Sequence, residues 1–209
     1  MAHDLWSRVL ALVVALLIAL AIIAGLILVG TALPIALLVG WLVSSVVCLG
    51  IGVWRRSADW ATPGFIQLGG ALDAALANLG VAIWWWPLGL VALGLAYLPL
   101  ARPLADRVAA GWHAALESSA LFVAGVGAVW ALGQVLTAYL LASQGTPLLA
   151  EDMDALRVSF VLSSLLLFGG ALLWALLHRR LVVLALAALL LAQLAAALVI
   201  NSAGIDSPS

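Results

Sequence analysis

The chain has 209 residues, of which 67% are hydrophobic and only 8% charged, with a formal net charge of -1. A soluble domain carries about 25% charged residues and has no interior able to hide this much apolar surface, so lipid must solvate most of the chain. Nucleic acid is excluded as a partner by the lack of a basic run, an intrachain disulfide by the single cysteine, Cys48, and a Schiff-base pigment by the absence of lysine, all eight cations being arginine.

The first eight residues are polar and contain His3, Asp4 and Arg8. The charge-free run 9–29 follows, and at about 21 residues it exceeds a signal-peptide core and reads as a retained first span. Pro34 suits the first turn of a second span at 33–54, because a helix start needs no backbone donor there. Ser44 and Ser45 lie in its middle, able to bond helix carbonyls. Trp54, Arg55 and Arg56 close it as interface anchors.

Thr62-Pro63-Gly64 reads as a break before a third segment at 65–83, the weakest by hydropathy. It carries Gln67, Asp73 and Asn78. At roughly 100° per residue, Asp73 shares a side with Gly69, Gly70, Ala77 and Gly80, a small-residue face suited to a bundle interior. The fourth segment, 86–100, is short and opens at Trp84-Trp85-Trp86, an interface marker. Arg102, Asp106, Arg107 and His113 form a polar link. The fifth span, 117–142, starts with Glu117, Ser118 and Ser119, which suit open helix amides. Gln134 lies within it. An acidic loop, 143–156, precedes the sixth span at 158–177; the turn His178-Arg179-Arg180 leads to a seventh at 181–200.

The expected fold is therefore an all-α polytopic membrane protein, a single helical bundle of seven transmembrane helices. A five-span bundle with a re-entrant hairpin at 61–101 is the alternative. Arginine placement favours two crossings over one between residues 61 and 101. With seven spans and a cytoplasmic N-terminus, Arg8, Arg55, Arg56, Arg102, Arg107, Arg179 and Arg180 all face the cytoplasm and only Arg157 lies outside. That topology puts the C-terminus outside. An alanine-rich, lysine-free composition fits a bacterial inner membrane.

Catalysis lacks a constellation. His3, His113 and His178 lie in links or at span ends, so buried serines have no histidine beside them and haem or metal has no paired ligands. No cofactor follows from the residues, and the expectation is a non-enzyme. Asp73 is the residue that stands out, because a carboxylate in apolar surroundings could take up and release a proton near neutral pH. Gln67, Asn78, Glu117 and Gln134 are its candidate neighbours along a polar route. The plainer reading makes Asp73 an interfacial residue or an arginine's structural partner. Two functions follow. The chain is expected to be a non-catalytic structural or accessory subunit of a larger inner-membrane complex, in contact with lipid and with other subunits or copies of itself. The alternative is a small proton-coupled transporter or channel-like protein using Asp73.

Overall fold

The computed structural model describes residues 2–109, 111–146 and 148–178. They form six helices: α1 (Ala2–Leu28), α2 (Leu33–Arg55), α3 (Ala58–Asn78), α4 (Trp86–Arg107), α5 (Gly111–Ser143) and α6 (Ala150–His178). One 3-10 turn, Ile83–Trp85, leads into α4.

Neighbouring helices run up and down. Ser45 donates to Gly64 O and Asn78 to Pro34 O, so α3 is antiparallel to α2. Phe65 packs against Tyr97 with the rings tilted while Gly69 abuts Leu90, so α4 is antiparallel to α3. Gly94 abuts Ala124 and Gly127 abuts Val91, which sets α5 against α4 in the same sense. The start of α1, Arg55, Arg56, Arg107 and the end of α6 thus share one end of the bundle. Glu151, Asp152, Asp154 and Arg157 lie at the other.

Five helices among the described residues are long and apolar enough to cross a membrane, namely α1, α2, α5, α6 and the stretch Ile83–Ala101. The protein is a multi-pass membrane helical bundle in contact with lipid. This corrects the expectation of seven spans. The segment 65–83 comprises the later part of α3 and the turn after it, α3 lacks a sufficiently apolar run, and 181–200 lies outside the described residues. The hairpin alternative is corrected too. In place of two short re-entrant pieces at 61–101 stand two helices of 21 and 22 residues, and the second qualifies as a span.

The physical reason lies in packing. α3 touches α1, α2, α4 and α5. Its residues Ala61, Pro63, Gly64, Phe65, Gln67, Gly69, Ala71 and Ala74 are buried in the protein. A helix enclosed by other helices need not be apolar to avoid lipid.

Several boundaries also move. α3 starts at Ala58 and carries Pro63 inside it, so Thr62-Pro63-Gly64 is not a break. Pro63 removes one backbone bond near the helix start, and Thr62 Oγ1 donates to Ala58 O there, 3.0 Å away. α4 continues through Pro99 and Pro103 to Arg107, so the expected polar link is mostly helix. α5 begins at Gly111, six residues before Glu117, and α6 begins at Ala150. Glu151 and Asp152 then lie in its first turn, where carboxylates complement the helix dipole.

Four helices end in the same closure, a left-handed residue followed by a backbone bond to the carbonyl five residues earlier. Gly30, Gly80 and Gly145 supply it for α1, α3 and α5, with bonds Thr31 to Leu26, Val81 to Leu76 and Thr146 to Leu141. Arg56 supplies it for α2, at φ 49°, with Ser57 bonding Gly52 O.

The best-defined core lies towards the arginine end. Phe65, Tyr97 and Trp112 meet there, with Phe65–Trp112 edge to face at 5.7 Å. Tyr97 Oη donates to Phe65 O at 2.8 Å, so its hydroxyl is satisfied.

Candidate functional site

The site is built on α3, the helix among the described residues without a run apolar enough to cross a membrane. Asp73 is half-buried, and its Oδ1 is enclosed without a hydrogen-bond partner. One turn before it, Gly70 faces the Trp41 indole of α2. A Cβ at Gly70 would lie 3.0 Å from that ring, so the glycine lets the indole approach the helix backbone. Gly80 belongs to the closing turn and not to the Asp73 face, because α3 stops at Asn78.

Gln67 is 4% exposed, and its Oε1 also has no partner. It lies between Gly64, which abuts Leu49, and Gly70, which abuts Trp41, at the level where α2 carries its buried serines. Ser44 donates to Ala15 O at 3.0 Å and Ser45 to Gly64 O at 2.8 Å. These bonds stitch α1, α2 and α3 together. Six residues separate Gln67 from Asp73, about 9 Å along the axis, and they point to different sides. α3 thus holds two unsatisfied acceptors. An unpaired buried acceptor costs about 1–3 kcal/mol, so each stands against folding stability.

The other expected neighbours lie elsewhere. Asn78 Nδ2 donates to Pro34 O at 2.9 Å and to Ala74 O at 2.7 Å, tying the end of α3 to the start of α2. Gln134, buried on α5, donates to Ile83 O at 2.8 Å and holds the 3-10 turn. Glu117 lies towards the arginine end, 3.4 Å from His113 one turn earlier. Asp73 is therefore not gathered with Asn78, Gln134 or Glu117 into one cluster. Trp41 gave no signal in the sequence beyond being a tryptophan away from an interface, and only the packing places it beside the Asp73 turn.

The anchors take up rim positions. Trp54 is exposed with Arg55 over its ring at 5.6 Å. Trp84 Nε1 donates to Asp152 at 2.8 Å, and Trp86 Nε1 to Val81 O at 2.9 Å, while Trp85 is half-buried. Arg102 lies within α4 near its end, and Arg179 and Arg180 fall outside the described residues. Among the described residues, no three histidine, cysteine or acidic side chains group as metal ligands.

Fold and site together define a polytopic membrane bundle with an unpaired carboxylate on an enclosed helix. No protein-family model matches the chain, and no curated protein or solved structure is measurably similar to it.

Proposed function

We propose that this protein is a small proton-coupled transporter or channel-like protein of a bacterial inner membrane, with Asp73 as the proton-exchanging group. The observation that carries the reading is the enclosed, unpartnered Oδ1 of Asp73 on a helix surrounded by four others. A carboxyl group held among apolar neighbours is stable when protonated and seeks a cation when ionised. A group with two such states inside a membrane bundle suits proton exchange. The accessory-subunit expectation draws mainly on missing motifs, whereas Asp73 is a positive feature.

The arginine end, with Arg55, Arg56 and Arg107, is assigned to the cytoplasm by the positive-inside rule. The N-terminus lies at that end. The acidic start of α6 then faces the opposite compartment.

The test is proton flux into liposomes holding the purified chain, read by an internal pH dye under an imposed gradient. Asp73→Asn should remove the protein-dependent flux while the protein remains monodisperse in detergent. Equal flux from wild type and Asp73→Asn would overturn the reading.

A further inference from the structure

The bundle end above Asp73 has apolar turns. Residues 29–32 between α1 and α2, and 79–82 after α3, carry no charge. Leu28, Val29, Leu33, Leu79 and Ile83 are all exposed there, Leu28 to 86% and Leu79 to 78%. Part of their backbone is satisfied within the protein. Both helices close on their own carbonyls through Gly30 and Gly80. Pro34 O, Val81 O and Ile83 O accept from Asn78, Trp86 and Gln134 side chains. Uncharged turns with a contiguous set of exposed apolar side chains suit a surface facing lipid. From Gln134 at the level of Ile83, α5 continues nine residues to Ser143, about 13 Å further. Its polar end therefore stands above these turns.

Asp73 lies five residues below the end of α3, about 7–8 Å. Among the described residues, no cation faces it at its level. α1 has no charged residue from Val9 to Leu28, and α2 has none from Leu33 to Trp54, with Cys48 its one other titratable group. α4 has none from Trp86 to Ala96, and α5 none from Ser118 to Ala138. Tyr97 is bonded to Phe65 O, and His113 with Glu117 lies towards the other end.

We propose that Asp73 binds a hydrophobic monovalent cation that enters from the bilayer past these apolar turns and exchanges with the carboxyl proton. The protonated acid and the cation give an ion pair and one released proton, so charge balances. Small hydrated metal ions need several oxygen ligands in place of water, and the turns present exposed hydrocarbon instead. The inference rests on the proton-exchange reading of Asp73 and adds the class of substrate.

The probe is tetraphenylphosphonium, added to the full chain in detergent and in liposomes. It should bind with release of one proton, and more tightly as pH rises, because proton and cation compete for one carboxylate. Asp73→Asn should abolish the proton release and the pH dependence, and Asp73→Glu should retain both with a shifted profile. Leu79→Arg should weaken binding about tenfold through repulsion across the turn, leaving downhill proton flux intact. Asp73-dependent flux without tetraphenylphosphonium binding, or with sodium or potassium displacing the proton instead, would overturn this inference alone. Tetraphenylphosphonium binding equally to Asp73→Asn would overturn it as well. Absence of any Asp73-dependent flux would remove the underlying reading with it.

Discussion

Gly94→Ala tests the packing of α4 on α5 most directly. An added Cβ would lie 2.6 Å from Ala124 N, 2.9 Å from Ala120 O and 2.9 Å from Ala124 Cβ. Ordinary contact begins near 3.4 Å, so the two helices must separate by most of an ångström. Two of the three obstacles are backbone atoms of α5, which cannot turn aside as a side chain does. Overpacking of this kind costs about 1–3 kcal/mol, and the backbone obstacles argue for the upper end. Against it stands alanine's helix propensity over glycine, about 1 kcal/mol. A net loss of about 2 kcal/mol remains, roughly a thirtyfold shift in the folded-to-unfolded ratio. Gly125 on α5 is the control, because nothing lies within 4 Å of its would-be Cβ. Gly125→Ala should be neutral or slightly stabilising. Both variants can be unfolded from mild detergent with increasing dodecyl sulfate, with tryptophan fluorescence as the readout. If Gly94→Ala unfolds with Gly125→Ala, the close α4–α5 crossing is not as described and the reasoning fails.

Other perturbations separate structure from function. Gln67→Leu removes an unsatisfied buried acceptor at similar volume, so stability should hold or rise by up to about 1 kcal/mol in the same unfolding assay. A loss of proton flux in that stable variant would show that the amide serves transport. Ser45→Ala removes the buried bond to Gly64 O and should cost about 1 kcal/mol, with a larger cost marking added loss of α2–α3 packing. Arg56→Gly relieves a left-handed residue with a Cβ and should stabilise the end of α2 by about 1 kcal/mol; a loss would mean the side chain contributes more than the backbone strain. Removing Arg157, 3.5 Å from Asp154 and exposed, should change stability by less than about 1 kcal/mol, and by less still in high salt.

Glycine roles illustrate how far the sequence could be read. Gly89, Gly94, Gly125, Gly127 and Gly133 all look alike as close-approach points in an apolar run. In the bundle, a Cβ at Gly94 or Gly127 would meet backbone or side-chain atoms within 3.0 Å and one at Gly89 would meet Leu76 at 3.2 Å, while Gly125 and Gly133 face open space. Glu117 reads as a helix start by its position before an apolar run, yet α5 begins six residues earlier because Trp112 and Ala115 pack into the core with Phe65. Asp73 was legible as an ionisable group in an apolar stretch. That its Oδ1 finds no partner, while Asn78 and Gln134 are taken up by turn carbonyls, was not.

Hydropathy by itself determined that this chain lives in a membrane, that α1, α2, α5 and α6 are apolar helices, and that charge gathers at their ends. These are sums over neighbouring residues, and transfer from water to lipid is nearly additive along a chain. The tertiary structure alone decided that α3 is enclosed by protein, that Pro63, Pro99 and Pro103 lie inside helices, and which polar groups are left unsatisfied. Those outcomes depend on which surfaces meet, and a hydrogen bond or a shielding neighbour comes from residues distant in sequence.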